Sequence, residues 1–438
     1  MDSAVMIKSV KIEQLFDIFD YNFKYSKNEN VLIITGPNGF GKTQILNILF
    51  NLFNRNFHFF QKLVFKKITV YLSNNCSVEI SKYNENEREY VICSFFDNKK
   101  KIEIFKYASN SSSKLIRNIE RYFPIDRVDE ESWINHNTGN ILSLDEVISK
   151  YSDNFPDEFK KNSLNIQTKK ANNILASINV HLIQEQRLFK KVPFKEQSNY
   201  REERDQTVMI ETIQTCSDEL CSLIAKCTQK SYAISQSLDS SYPNRLISEK
   251  KKVSKKEYEE KFSNLKEKLD KLRKNGLYEN TQKTLDYSED DAKALLVYLN
   301  DLEEKLGVFD ELLEKLELFT SILNERRFTF KTININRENG FYFKTENGTE
   351  LKLNQLSSGE QHEVVLLYEL IFKTKPGILV LIDEPEISLH ITWQKEFLDD
   401  LLRIIKIQNF QVLIATHSPF IINDRWDLTY NLEKSDDQ

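Results

Sequence analysis

Glycine is scarce in this sequence, which has only 10 in 438 residues. Three of them, Gly36, Gly39 and Gly41, fall within six consecutive positions. Glycine is needed where the backbone takes conformations that other residues avoid, or where it approaches a ligand closely. A short loop that uses nearly a third of the supply is therefore the first candidate for a binding site.

Other absences exclude whole classes of protein. The five cysteines contain no CxxC pair and are too few for a disulfide framework. No apolar run approaches the length that crosses a bilayer, and the first residues lack the sections of a signal peptide. The net charge of −5 gives no global attraction to nucleic acid. We expect a cytoplasmic protein with no membrane partner.

The residues around the clustered glycines predict a strand, a loop and a helix in that order. An apolar β-branched run at 31–35 precedes the loop, and helical apolar spacing follows it. The loop fits the pattern GxxxxGK[ST], whose backbone N–H groups cradle phosphates. Lys42 would reach the β- and γ-phosphates of a bound nucleotide, and the hydroxyl of Thr43 would bind Mg²⁺. The predicted nucleotide-binding residues are Gly36, Pro37, Asn38, Gly39, Phe40, Gly41, Lys42 and Thr43.

Two further strands end in polar residues near the C-terminus. "GILVLIDEPEISLH" places Asp383 and Glu384 after a buried strand, and "FQVLIATHSP" places His417 after another. The carboxyl ends of parallel strands meet at the ligand-binding edge of a sheet. Taken alone, a strand that ends in Asp-Glu is equally consistent with a solvated turn. Together the strand ends predict that Asp383 binds the metal and Glu384 polarises the attacking water.

The segment "LNQLSSGEQHEVVLLYELI" predicts a helix with a capped start. Ser357 and Glu360 have the spacing of a capping box. A helix N-terminus opened by small residues is also a second anion-binding position, for which a monomer has no evident use and a dimer does.

The four motifs "GPNGFGKT", "LSSGEQ", "LVLIDEPEISLH" and "IATHSP" resemble those of ABC-type ATPase heads of the RecF/SMC class. The resemblance implies ATP with Mg²⁺ and two heads paired head-to-tail. Ser357, Ser358 and Gly359 of one copy would contact the nucleotide of the other, with residues 388–390 at the seam. It implies that His417 senses the γ-phosphate. It also implies a strand-end glutamine, either Gln184 or Gln186, of which Gln184 is preferred.

The variant signature and "DEPEISLHITWQ" look most like a bacterial subgroup. That subgroup includes ATPases of OLD-like nucleases and ATPase subunits of phage-defence systems of the Septu PtuA-like or PARIS AriA-like kind. OLD proteins carry a nuclease domain after the head, whereas here only 21 residues follow His417. The expected partners are a second copy and a separately encoded nuclease or other effector, with DNA as a possible ligand.

The middle of the chain predicts helices packed through an apolar seam. Seven apolar residues between 295 and 316 are spaced alternately four and three positions apart, and five between 258 and 272 have the same spacing. Residues 244–275 carry a charge balance of +6 and residues 276–318 one of −8, so two opposed helices would attract each other. This favours a short antiparallel hairpin used for intramolecular or protein–protein pairing over one that binds DNA directly. The seams are Tyr258, Phe262, Leu265, Leu269 and Leu272, and Leu295, Leu299, Leu302, Leu306, Phe309, Leu313 and Leu316.

The predicted fold is α/β: an ABC-type P-loop head with an antiparallel β-lobe, interrupted by a helical coiled-coil insertion. Four alternating or apolar runs between 65 and 107 predict the lobe. The predicted domains are 1–200, the N-terminal part of the head; 201–325, the insertion; and 326–438, the C-terminal part. The expected function is an ATPase that regulates an effector in anti-phage defence. A RecF-like DNA-repair ATPase is the alternative, and a transporter ATPase is disfavoured because the insertion splits the head.

Overall fold

The chain folds into two units that are distinguished by their internal contacts. The computed structural model describes residues 4–26, 29–85, 88–108, 125–127, 132–135, 141–143, 169–184, 188–193, 207–278, 285–328, 330–387 and 389–433. The first unit comprises Met1–Ile210 and Lys373–Gln438, and the second comprises Glu211–Phe372. The predicted boundaries at 200/201 and 325/326, placed by motif order, remain a prediction.

The described elements of the first unit are mainly strands, in runs separated by helices, and those of the second unit are mainly helical. The strands are β1 (Ile7–Leu15), β2 (Phe19–Lys24), β3 (Val31–Thr35), β4 (Lys67–Leu72), β5 (Cys76–Glu85), β6 (Arg88–Asp97), β7 (Lys100–Ala108), β8 (Ile125–Arg127), β9 (Ser132–Asn135), β10 (Ile141–Ser143), β11 (Val180–Ile183), β12 (Phe189–Pro193), β13 (Thr207–Glu211), β14 (Lys331–Asn336), β15 (Gly340–Thr345), β16 (Glu350–Leu351), β17 (Leu379–Asp383), β18 (Gln411–Thr416) and β19 (Thr429–Asn431). The helices are α1 (Lys42–Phe53), α2 (Phe57–Lys62), α3 (Lys169–Ala176), α4 (Thr212–Ser248), α5 (Lys255–Lys274), α6 (Ala292–Gly307), α7 (Asp310–Ile322), α8 (Ser358–Tyr368), α9 (Ile391–Gln408) and α10 (Pro419–Ile422).

A parallel sheet carries the predicted motifs of the first unit. Its order is β11-β17-β18-β3-β19, and the three central strands are almost wholly buried, as their apolar sequences require. In the paired register Thr416 lies opposite Thr35, and Asp383 lies opposite Ala415. The three strands therefore end together at one edge.

An antiparallel sheet of six strands, in the order β2-β1-β4-β5-β6-β7, forms the predicted lobe. Its alternating sequences bury one face, and that face shares an apolar core with α1, α2, α3 and one face of the parallel sheet. Gln411 at the start of β18 accepts a hydrogen bond from the N–H of Ile7 at 2.9 Å and donates one to its carbonyl at 2.7 Å. One buried amide thus joins the two sheets.

The second unit corrects the predicted two-helix hairpin. The 37-residue helix α4 and the helix α5 both pack against α6, so at least three helices take part in the bundle. The seam residues from 295 to 316 are buried as predicted, but the helix is interrupted between α6 and α7. The interruption follows Gly307, and glycine is a poor helix former. A strand, β13, also lies at 207–211, where the sequence shows no strand signal.

The predicted attraction between opposite charges is confirmed. Lys268 and Lys271 of the basic helix α5 form ion pairs with Asp310 and Glu317 of the acidic helix α7. Asp310 is exposed and Glu317 is half-buried, so the pairs contribute little to stability and serve mainly to orient the helices. Within the described ranges, no helix combines the length and apolarity that crossing a membrane requires.

Candidate functional site

The glycine-rich loop joins β3 to α1 as the sequence predicts. Gly36 and Gly41 have positive φ angles of 151° and 82°. A Cβ at Gly36 would lie 3.2 Å from Leu432, and one at Gly41 would lie 3.2 Å from Leu15. Conformation and space thus both require glycine at these two positions. Pro37, Asn38 and Gly39 are exposed, while Phe40 packs its ring against Phe19 with a centroid separation of 5.2 Å.

Lys42, the first residue of α1, is buried with its ammonium turned into the loop. Its Nζ donates hydrogen bonds to the carbonyl oxygens of Gly36 at 2.8 Å and Pro37 at 3.4 Å. It also lies 3.7 Å from Oε1 of Glu384. A buried cation needs such acceptors. The carbonyl oxygens of Gly36 and Pro37 provide them.

Thr43 and Asp383 come together from opposite ends of the sequence. The Thr43 hydroxyl donates a hydrogen bond to Oδ1 of Asp383 at 3.2 Å. Both are hard oxygen donors, and ligands at 2.0–2.1 Å in an octahedron are separated by about 2.9 Å along its edges. The donor type and the separation therefore both fit Mg²⁺.

Glu384 and His417 form a hydrogen-bonded pair at the same edge. The His417 Nδ1 lies 2.5 Å from Oε2 of Glu384, although the two residues belong to the ends of different strands. Glu384 has a positive φ of 43°, a backbone conformation that costs energy in a residue with a side chain. Burial raises the pKa of Glu384 to about 7, the neighbouring Glu386 carboxylate adds to the shift, and His417 opposes it. A carboxylate with this pKa is suited to proton transfer near neutral pH.

Gln184 follows β11 directly and is exposed at this edge. Because Ile183 pairs with Ile382, Gln184 lies next to Asp383 in the sheet register. The competing candidate, Gln186, and the seam residue Ser388 lie outside the described residues.

The signature segment lies in the second unit and starts α8. Ser357 and Glu360 form the predicted capping box, because each side chain bonds the other's backbone N–H. Ser357 and Ser358 are exposed and Gly359 is half-buried, so the small residues leave the helix start accessible. Lys331 of β14 donates to both carboxylate oxygens of Glu360, at 2.8 and 2.9 Å. Burial alone would raise the pKa of Glu360, but the bonds from Lys331 and Ser357 lower it overall.

A family model described as an AAA ATPase domain matches residues 6–422. The chain belongs to the AAA ATPase domain family. The matched range includes the glycine-rich loop, Asp383 and the signature segment. This AAA ATPase thus has the α/β class, antiparallel lobe and helical insertion that the sequence predicts.

Three solved structures are similar to this AAA ATPase over most of its length. One is an Smc head domain with an extended coiled coil, bound to the C-terminal domain of ScpA and derived from Pyrococcus furiosus. It is 14% identical with a TM-score of 0.36, and the match covers 95% of this chain and 91% of that one. The SMC head domain from Thermotoga maritima is 12% identical with a TM-score of 0.33, covering 97% and 94%. An SmcHead bound to the C-winged helix domain of ScpA is 10% identical with a TM-score of 0.37, covering 95% and 91%.

Sequence reasoning missed two residues that organise the site. Glu386 is buried and accepts hydrogen bonds from the loop that follows β18. Gln394 of α9 accepts one from the Ser418 hydroxyl at 2.8 Å and donates to the carbonyl oxygen of Leu389 at 3.1 Å. Glu386 follows Asp383, Glu384 and Pro385 in a polar turn, so the sequence alone gives no sign that it is buried with these partners. Nothing in the sequence singles out Gln394.

Proposed function

We propose that this AAA ATPase binds ATP with Mg²⁺ at the glycine-rich loop and hydrolyses it slowly. The observation that carries the proposal is the convergence of three strand ends on one edge. That edge holds a phosphate loop, a Thr43–Asp383 pair and a Glu384–His417 pair. Residues separated by more than 300 positions in the sequence supply complementary parts of one reaction.

The proposed roles are supported by the contacts of each side chain. Lys42 exchanges the carbonyls of Gly36 and Pro37 for phosphate oxygens, while the loop N–H groups bind the remaining phosphate charge. Thr43 and Asp383 would hold Mg²⁺, which would supply charge neutralisation at the phosphates. Glu384 polarises the attacking water and receives its proton, and His417 holds Glu384 and senses the γ-phosphate. Gln184 is proposed to complete the site from β11.

Two copies are proposed to pair head-to-tail around two ATP molecules. The exposed start of α8 supports this arrangement, because its N–H groups and the side chains of Ser357 and Ser358 suit an anion. The Lys331–Glu360 pair neutralises the glutamate that stands in the signature, so its charge does not oppose a phosphate.

The biological role is proposed to be nucleotide-dependent control of a separately encoded nuclease or toxin in anti-phage defence. Its support is the resemblance of the variant signature and of "DEPEISLH" to the ATPase subunits of such systems. In this role the ATP-bound dimer and the ATP-free protein would differ in how they hold the effector.

Direct DNA binding in a RecF-like repair reaction is the second candidate, and the observation that favours it is the basic segment 244–275. The ion pairs of Lys268 and Lys271 with α7 occupy part of that charge. Salt-sensitive DNA binding by the purified protein would favour this function, since binding driven by phosphate contacts weakens steeply with salt.

The proposed ATP site is tested with Lys42→Ala. The variant loses two or more charge-assisted bonds to phosphate, each contributing ~1.5–3 kcal/mol, so ATP affinity should fall by roughly 100-fold or more. Equilibrium binding of a fluorescent ATP analogue measures this change. Unaltered affinity in a folded variant would contradict the site. For the effector role, mass spectrometry of proteins co-purifying with the tagged chain from its native locus should find one partner in fixed ratio. Recovery of the chain alone, or with DNA, would contradict that role.

A further inference from the structure

The carboxylate of Glu386 binds the loop that carries His417. Its Oε1 accepts hydrogen bonds from the Thr416 hydroxyl at 2.5 Å, the His417 N–H at 3.0 Å and the Ser418 N–H at 3.1 Å. Only 7% of the residue is exposed. Three donors from three consecutive residues thus converge on a single buried oxygen. The loop after β18 is thereby attached to the turn after β17 through one side chain.

The charge of this carboxylate is only partly compensated by its hydrogen bonds. Its second oxygen, Oε2, is buried with no hydrogen-bond partner in the described contacts. The Glu384 carboxylate lies nearby, and carboxylate and imidazole atoms of Glu384, Glu386 and His417 all fall within 4.8 Å of one another. Two carboxylates this close repel each other, so the hydrogen bonds from the 416–418 segment must offset that repulsion.

The attachment determines where the histidine ring lies. Oε1 of Glu386 accepts a hydrogen bond from the main-chain N–H of His417 and also lies 3.2 Å from the ring Nδ1, which reaches Oε2 of Glu384 at 2.5 Å. Gln394 strengthens the same link. It bonds the Ser418 hydroxyl on one side and the carbonyl of Glu386 at 3.3 Å on the other.

We infer that Glu386 is a positioning residue for ATP hydrolysis, because it joins the 416–418 loop to the turn of Glu384 so that Glu384 and His417 act as one rigid pair. The inference rests on the proposed function, in which that pair acts on the attacking water. Glu386 itself touches neither the phosphate loop nor the Thr43–Asp383 pair in the described contacts, so it should affect turnover and leave nucleotide affinity unchanged.

The test compares turnover and ATP affinity in three variants. Glu386→Ala removes the acceptor, and displacing a catalytic group by about 1 Å costs roughly 100-fold in kcat. Glu386→Gln keeps an acceptor oxygen, and its amide replaces the oxygen that makes no bond, so kcat should recover to within roughly 10-fold of wild type. Thr416→Val removes one donor and should lower kcat by an intermediate factor. ATP affinity should stay within about 3-fold of wild type in all three.

The matched control is Thr374→Val. Thr374 also donates a buried hydroxyl hydrogen bond, to Oε1 of Gln408 at 2.7 Å, in the same unit but away from the loop. It should lose about as much thermal stability as Thr416→Val while keeping wild-type kcat. If kcat instead follows the melting temperature across all these variants, the role is structural and the inference is overturned.

Two outcomes separate this inference from the proposed function. Wild-type kcat in Glu386→Ala, together with an inactive Glu384→Gln protein, would overturn the positioning role alone. Wild-type kcat in Glu384→Gln would remove the proposed chemistry itself. The expected result is an inactive Glu384→Gln, a slow Glu386→Ala and a largely restored Glu386→Gln.

Discussion

Gln411 provides a quantitative test of how the two sheets of the first unit are joined. Its side chain makes two buried hydrogen bonds to the backbone of Ile7, at 2.9 and 2.7 Å. In Gln411→Ala the N–H and the carbonyl of Ile7 remain buried without these partners. Each such group costs about 1–3 kcal/mol, so the free energy of unfolding should fall by about 2–6 kcal/mol.

The assay is thermal unfolding followed by circular dichroism or calorimetry. For a unit of this size each kcal/mol shifts the melting temperature by about 2–4 °C, which predicts a decrease of about 4–24 °C. Gln214→Ala is the control, because Gln214 is exposed on α4 and bonds only the side chain of Asp218 in the described contacts. A Gln411→Ala protein that melts within 1 °C of this control would refute the argument that this amide holds the sheets together.

Three further predictions address the nucleotide site and the signature. Gly41→Ala should weaken ATP binding by roughly 10-fold, because a side chain at this positive φ costs ~1–2 kcal/mol and its Cβ would contact Leu15. Titration with a fluorescent ATP analogue measures the affinity, and a wild-type value would contradict the strain argument. Lys331→Met should destabilise the second unit by about 1–3 kcal/mol in denaturant unfolding, because it removes the charged partner of Glu360. The double variant with Glu360→Gln should recover part of that stability. A double variant no more stable than Lys331→Met would contradict the pairing. Chelation by EDTA should stop ATP hydrolysis, since Thr43 and Asp383 would hold Mg²⁺ beside the phosphates. Hydrolysis that persists in EDTA would exclude a magnesium role.

Much of the parallel sheet could be predicted because its strands are short apolar runs that end in chemically distinctive residues. Val31–Thr35 and the strand before Asp383 are buried on both faces, so their sequences are continuously apolar and easy to recognise. The alternating strands of the lobe were predictable for the complementary reason, since one face is buried and the other is exposed. The capping box at Ser357 depends only on residues three positions apart and was equally accessible.

What the sequence could not show depends on contacts between distant residues. The bonds from Thr416, His417 and Ser418 to Glu386 join segments about 30 residues apart, and a lone glutamate in a turn carries no sign of its partners. The interruption between α6 and α7 was missed because the apolar spacing continues through it, although the backbone does not. Periodicity reports which face is buried and is insensitive to a break that preserves that face.

The most direct test of the central claim is the nucleotide retained by the Glu384→Gln protein. The purified variant is incubated with ATP and Mg²⁺, passed through a size-exclusion column with light-scattering detection, and its bound nucleotide is identified by chromatography. We expect the variant to retain about one unhydrolysed ATP per chain and to elute with the molecular mass of a dimer. Bound ADP with turnover equal to wild type would contradict the assignment of Glu384, and with it the proposed mechanism of hydrolysis.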